Sequence, residues 1–154
     1  MKVIFLDIDG VLNGEKSRTR CAGYIGIDSD KLLRLKRIVE QTGAKIVLIS
    51  TWKTGWCKLN KLLQDELANY LDRKFKKFGL EAYDKTPNAF GQGYLSRGEG
   101  ILYYLYENKV ESFVILDDLQ FDYDGCNLTD KFVKTNGATG IADEDVERAI
   151  RLLK

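Results

Sequence analysis

Histidine is absent from this chain, and that one absence removes several chemistries. Zinc hydrolases with imidazole ligands need it, as do Ser-His and Cys-His nucleophile pairs, so proton transfer in any catalysis falls to carboxylates. Cysteine is scarce and odd in number: Cys21, Cys57 and Cys126, with no C-x-x-C spacing. Neither a disulfide frame nor a thiolate zinc site is expected; reduced thiols in a cytoplasmic setting are. Proline occurs once, at Pro87. No apolar run approaches the length of a membrane span, and the opening one is short and ends in Asp7, so no signal peptide is expected. An excess of one charge is missing too. The 24 Lys+Arg and 23 Asp+Glu leave a formal net charge of +1, which gives no global pull toward nucleic acid or membrane. What remains is ordinary for a soluble globular protein, 44% hydrophobic and 31% charged. A length of 154 residues suits a single domain, 1–154, with one substantial core.

The most informative stretch is Val3-Ile4-Phe5-Leu6-Asp7-Ile8-Asp9-Gly10. Its apolar start reads as a strand buried on both faces. Side chains at i and i+2 of an extended chain point the same way, so Asp7 and Asp9 leave that strand on one side. Like charges at the end of a buried strand repel strongly at low dielectric, and a cation relieves the repulsion. A solvated acidic turn is the plain alternative. An EF-hand loop is excluded, because its Gly follows the first Asp by five positions and here by three.

Further along, the turn-rich stretch from Asn13 to Arg20 carries Lys16, Arg18 and Arg20. They read either as solvated loop charge or as contacts for an anionic substrate. Capping residues at Asp28-Ser29-Asp30, the spacing of Leu32, Leu35 and Val39, and Gly43 predict a helix from about 29 to 42. Lys45 to Ser50 is a second buried strand, ending in the hydroxyls of Ser50 and Thr51. Trp52, Lys53 and Trp56 follow on the loop above it; an indole there either stacks on a nucleobase or packs under the loop. Leu59, Leu62, Leu63, Leu67, Leu71, Phe75 and Phe78 predict the longest helix, from about 57 to 78. Leu80 to Asp84 is a short third strand, followed by a loop over 85–96. Ser96-Arg97-Gly98-Glu99 then opens a helix, and its start is a good anion site.

Ser112 to Asp118 is the fourth buried strand and again ends in carboxylates, Asp117 and Asp118. Lys131 to Thr135 makes a fifth, and a last helix begins at Asp143. Apolar strands alternating with helices predict an α/β domain on a parallel sheet, with right-handed crossovers. Functional groups in such domains gather beyond the carboxyl ends of the strands. Asp7, Asp9, Ser50, Asp117 and Asp118 all lie at such ends.

With these motifs in this order, nearly the whole chain resembles the haloacid dehalogenase (HAD) superfamily, whose members are mostly magnesium-dependent phosphatases. Asp7-Ile8-Asp9-Gly10-Val11-Leu12 resembles its first motif, and Ser50, with Thr51 in reserve, its second. The fourth motif is matched by Asp117-Asp118 in its Asp-Asp form. The third is a cation at the start of a helix, usually Lys; Arg97 fits in place but not in type, and Lys85 is the other candidate. The resemblance implies a HAD-like Rossmannoid three-layer sandwich, with about five parallel strands in the order 5-4-1-2-3. The segments after the first and third strands are too short for a large cap domain; the first is where relatives carry a small hairpin flap.

The same resemblance implies Mg²⁺ as cofactor. Its ligands would be the Asp7 and Asp118 carboxylates and the Asp9 backbone carbonyl, with Asp117 supporting or ligating and Asp122 a candidate through water. Asp7 would be the catalytic nucleophile that forms an aspartyl-phosphate and Asp9 the general acid and base. Ser50, Thr51 and Arg97 would bind the phosphate. Dehalogenases of the superfamily lack the second Asp, so Asp9 points to phosphomonoester hydrolysis. Capless relatives often act on macromolecules, and close look-alikes occur in nucleic-acid repair proteins. The expected substrate is therefore a nucleic-acid end or a nucleotide, with Lys16, Arg18, Arg20, Trp52, Lys53 and Trp56 as candidate contacts. The alternatives are a phosphatase of a small phosphometabolite and a non-catalytic Mg²⁺-binding interaction domain.

Overall fold

Apolar residues on both sides of an extended backbone leave a strand only one stable place, inside a sheet covered on both faces. The computed structural model, which describes residues 1–154, places five such strands side by side. In chain order the elements are β1 (Lys2–Leu6), a hairpin of β2 (Arg20–Cys21) and β3 (Tyr24–Ile25), α1 (Ser29–Thr42) and β4 (Lys45–Leu48). Next come α2 (Glu66–Lys77), β5 (Ala82–Lys85), a second hairpin of β6 (Ala89–Phe90) and β7 (Gly93–Tyr94), and α3 (Arg97–Glu107). The chain ends with β8 (Ser112–Asp117), β9 (Phe132–Lys134) and α4 (Asp143–Leu153). The main sheet runs β5-β4-β1-β8-β9, and all its pairings are parallel. Counting only these five strands, that is the order 5-4-1-2-3 read from the opposite edge.

Alternation along the strands divides the core in two. Ile4 and Leu6 of β1 join Ile46 and Leu48 against residues of α1, α2 and α4, including Leu35, Leu71 and Ile150. Val3 and Phe5 join Val47 and Ile115 on the other face, against Ile101 and Tyr104 of α3. Three helices thus cover one face and one covers the other. The connections after β1 and β5 carry only the two small hairpins, and no cap stands over the sheet. No helix is long and apolar enough to cross a membrane.

The long helix expected from about 57 to 78 is shorter than its leucine spacing implies. α2 begins only at Glu66, where the Asp65 carboxylate caps it by accepting from the Ala68 N–H (2.9 Å). Residues 61–63 form a single 3-10 turn capped by Asn60. Side chains of this kind offer the backbone alternatives to the helical ladder, and Gln64 does the same by accepting from the Cys57 N–H (3.0 Å). Leu59, Leu62 and Leu63 consequently face solvent, Leu62 being 95% exposed. The apolar period continues through the sequence without a helix to turn it inward. Leu71→Ala, in the fully buried part of α2, is expected to cost about 2–5 kcal/mol in urea unfolding. Leu62→Ala is expected to stay within about 0.5 kcal/mol of the parent; comparable losses would put Leu62 back on a buried helix face.

Candidate active site

Register brings the strand ends level. Leu6 pairs with Leu48 on one side and Leu116 on the other, so Asp7, Ile49 and Asp117 follow at the same height. The Asp7 N–H donates to the Leu116 carbonyl (2.9 Å) and the Ile49 N–H to that of Leu6 (3.0 Å). Asp7, Asp117 and Asp118 are thereby gathered so that one oxygen from each lies within 4.8 Å of the others. Asp7 and Asp117 are buried.

Against these three carboxylates stands one guanidinium. Arg97, the first residue of α3, places Nη1 3.2 Å from Asp7 Oδ1 and 2.9 Å from Asp117 Oδ2. The rest of the Asp117 carboxylate is occupied as well: the Tyr123 hydroxyl donates to Oδ2 (2.6 Å) and the Leu119 N–H to Oδ1 (3.1 Å). Arg97 is sandwiched from its other side by Phe121, whose ring centroid lies 4.0 Å from the guanidinium carbon, a cation–π contact. Phe121 has φ of +48°, a region costly for a bulky residue, so the backbone is strained where that ring is presented.

One guanidinium does not balance the cluster. Burial, and then the charge of Asp117, push the Asp7 carboxyl up to about 8, with Arg97 opposing them. Asp118 is raised too, by burial first and then by the neighbouring Asp117 carboxyl. A buried group of oxygen donors that holds a proton this firmly suits a hard divalent cation such as Mg²⁺. The backbone around Asp118 leaves room for that carboxylate. Gly10 has φ of +83°, and a Cβ there would collide with the Asp118 carboxyl; one on Gly137 would lie 2.7 Å from Asp118 Oδ2. The residues present fit the ion.

Asp9, two positions after Asp7, faces outward. Asn13 Nδ2 donates to its Oδ1 (2.9 Å) and Trp52 Nε1 to its Oδ2 (3.2 Å). Asn13 is itself buried, accepts from the Gly10 N–H (2.9 Å) and donates to the Gly26 carbonyl (2.9 Å). The Thr135 hydroxyl holds the Gly10 carbonyl (2.7 Å). Asp9 and Asp118 thus share the wall of a cleft of about 370 Å³ with Gly10, Gly137 and Tyr24.

Residues 3–146, which include both hairpins, all but the first residue of the sheet strands and the start of every helix, match the family model described as the HAD domain in Swiss Army Knife RNA repair proteins. The chain belongs to that family. No curated protein matches it.

Some of the remaining residues stand elsewhere in this HAD domain than the sequence suggested, and others stand where it put them. Trp52 and Trp56, for which stacking on a base and packing under the loop both stood open, are 5% and 1% exposed, so packing is the outcome. Their rings fill the core, with Trp52 orienting Asp9 and Trp56 Nε1 donating to Asp72 (3.0 Å). Lys85 does not reach Asp7: its ammonium donates to the carbonyls of Lys53 (2.9 Å) and Trp56 (2.5 Å), tying down the turn after β4. Asp122 lies outside the carboxylate group and serves α3, accepting from the Gly98 N–H (2.9 Å) and from the hydroxyl of Ser96. Ser50 is buried at the end of β4 and accepts from the Trp52 N–H (3.2 Å), while Thr51 is exposed beside it. Lys16, Arg18 and Arg20 are exposed; of this segment, Asn13, Gly14, Glu15, Tyr24 and Ile25 line the Asp9 cleft. Asn13, Phe121, Tyr123 and Gly137 escaped sequence reasoning. Only Asn13, four residues after Asp9, carries a local signal, as a short polar side chain able to close a turn.

The raised Asp7 has a consequence for stability in chelator. Unfolded, the group titrates near 3.8, and in the fold it holds its proton to about 8. The folded state binds more protons between those values, so stability present below the lower one is lost as pH rises toward the upper. The thermal midpoint in chelator is expected to fall across that window, and to fall less in Asp7→Asn. Equal slopes for the two proteins would show that Asp7 does not carry this repulsion.

Proposed function

We propose that this HAD domain is a Mg²⁺-dependent phosphomonoester hydrolase that works through an aspartyl-phosphate on Asp7, with a phosphorylated nucleic-acid end or a nucleotide as substrate. The observation that carries the reading is the division of labour within one short loop. Asp7 is buried against Arg97, and Asp9 is solvent-facing and held by two donors. Asp7 and Asp118, with the Asp9 backbone carbonyl, would hold the ion, and Asp117, already engaged by Arg97 and Tyr123, would support it. When bound, Mg²⁺ supplies the positive charge that favours an ionised Asp7 and neutralises phosphoryl oxygens.

The chain's own residues account for the remaining steps. A carboxylate oxygen of Asp7 attacks phosphorus as the bond to the leaving oxygen breaks, and Asp9 gives that oxygen its proton. Asp9 then takes a proton from the water that attacks the same phosphorus. The bond from phosphorus to Asp7 breaks, inorganic phosphate leaves and the carboxylate is restored. Arg97 and the hydroxyl of Ser50, with Thr51 beside it, stabilise charge on the transferring group. Trp52 and Asn13 keep Asp9 aimed throughout.

For the substrate, the absence of a cap leaves the cleft open, so a large substrate has room to complete its walls. Tyr24, 63% exposed on the cleft wall, offers the aromatic surface that Trp52 and Trp56 do not. The family takes its name from RNA repair proteins, which favours a phosphorylated end over a small metabolite.

The test is phosphate release, with Mg²⁺ and in chelator, from end-phosphorylated oligonucleotides, nucleotides, sugar phosphates and an aryl phosphate. Release that needs Mg²⁺, vanishes in Asp7→Asn and is fastest on the oligonucleotides is expected. A sugar phosphate ahead by tenfold would remove the nucleic-acid assignment, and no release from any substrate would leave a metal-binding interaction domain. Asp9→Asn is expected to slow an alkyl phosphate more than a nitrophenyl phosphate, whose leaving group hardly needs a proton; equal losses would take the acid role from Asp9. Gly137→Ala, crowding Asp118, is expected to raise the Mg²⁺ concentration for half-maximal rate by roughly tenfold. Gly125→Ala, whose new Cβ would lie 3.6 Å from its nearest neighbour, is expected to leave it unchanged.

A further inference from the structure

Beyond Arg97, which pairs with Asp7, lies a second opening, a cavity of about 250 Å³ lined by Thr51, Lys53, Thr54, Asn88, Ser96 and Arg97, with Ile49 and Leu95. None of these residues is acidic. Lys53 is the unusual one. It is 7% exposed, and its ammonium has one hydrogen-bond partner, the Thr86 hydroxyl at 2.7 Å. No carboxylate pairs with it. A buried ammonium without a counter-charge is unfavourable, and here two more cations stand close. Burial, then the charges of Arg97 and Lys85, pull Lys53 down to about 8. Arg97 is compensated by Asp7 and Asp117 and Lys85 by two carbonyls. Lys53 is left with a hydroxyl.

We propose that this cavity is a second anion subsite, with Lys53 as its cation, that takes a second phosphate of the substrate lying next to the one attacked by Asp7. The inference rests on the phosphatase reading of Asp7 and deepens it. Arg97 borders both places, and Thr51 directly follows Ser50, so a group in the cavity adjoins a group on Asp7. The lining supplies neutral donors in Thr51, Thr54 and Asn88, which suit the several acceptor oxygens of a phosphate. The other cleft carries Asp9, Glu15 and Asp118, so the two openings differ in sign and an anionic substituent is directed to the Lys53 side. Such a phosphate comes either from the next phosphodiester of an oligonucleotide or from a nucleoside bisphosphate.

The experiment measures kcat/KM of the full chain with Mg²⁺ on nitrophenyl phosphate, a nucleoside 3′,5′-bisphosphate and a 3′-phosphorylated dinucleotide. The parent is expected to prefer the substrates with two phosphates. In Lys53→Met that preference should fall at least tenfold, mainly through KM, and Lys53→Arg should restore part of it. Loss for both substrates with two phosphates assigns the subsite to any second phosphate, and loss for the dinucleotide alone assigns it to the phosphodiester. Asn88→Asp, an exposed position where folding is not at stake, puts a carboxylate into the wall and should lower the same preference.

An unchanged preference in Lys53→Met and Asn88→Asp, or equal losses on all three substrates, would overturn the proposal. Calorimetric titration of the bisphosphate in Mg²⁺-free buffer separates the two readings. A tenfold weaker Kd in Lys53→Met without hydrolysis in the parent would keep the subsite and sink the phosphatase. Hydrolysis with no change in Kd or preference would do the reverse.

Discussion

Three carboxylates crowded at the end of a buried sheet repel one another, and much of the surrounding structure serves to hold them there. The counter-charge, Arg97, is not placed by its own side chain alone. It opens α3, so its position depends on that helix starting where it does. Ser96 and Glu99 form a reciprocal capping box, each accepting from the other's backbone N–H (3.1 and 2.9 Å). Asp122 reaches across from the loop after β8 to the Gly98 N–H and the Ser96 hydroxyl. Phe121, its neighbour, closes over the guanidinium. The segment that follows Asp117 and Asp118 therefore clamps the residue that compensates them. This ties β8 and α3 together at the site, and it gives Asp122 a part to play without touching the other acids.

The unequal covering of the sheet has a matching effect on access. Three helices pack one face, while α3 alone covers the other and ends its N-terminus at the carboxylates. The connections after β1 and β5 carry small hairpins instead of a cap. The first borders the cleft at Asp9 and Asp118 with Tyr24 and Ile25. The second rises between Asn88 and Leu95, which line the opening at Lys53. Two openings of opposite charge thus border the residues around Asp7, one through Asp118 and one through Arg97, and a short hairpin contributes to or leads into each.

The architecture was legible because strands buried on both faces write themselves as unbroken apolar runs. Val3–Leu6, Ile46–Ile49 and Phe113–Leu116 needed no partner to be recognised, and the acids ending two of them stood out against such neighbours. Helices were less secure. α1 and α2 share the same apolar spacing in sequence, but between 57 and 65 that spacing competes with Asn60, Gln64 and Asp65 for the backbone N–H groups, and the side-chain bonds prevail. The parts of the site that stayed hidden act over long separations. Tyr123 meets Asp117 through a loop, Gly137 matters only because Asp118 needs room, and nothing near Trp52 in the sequence says that its N–H lands on Asp9.

The turn after β4 shows why charge type alone could not assign the cations. Lys53, Lys85 and Arg97 are all basic residues near strand or helix ends; the helix start marks Arg97 in the sequence, but nothing in their neighbours separates the fates of Lys53 and Lys85. Lys85 pins the Lys53 and Trp56 carbonyls, which holds residues 51–55 in a 3-10 turn. Within that turn Trp52 and Lys53 diverge, the indole reaching Asp9 and the ammonium Thr86 on the opposite side. Ser50 caps the turn at its start. A single short segment therefore sets both sides of Asp7 at once, and its geometry rests on a lysine whose charge is absorbed by backbone. Had Lys85 reached the carboxylates instead, the turn would lose that tie and both Trp52 and Lys53 would be free to move. The exclusion of Lys85 from the carboxylates and the placement of Lys53 are thus one structural fact.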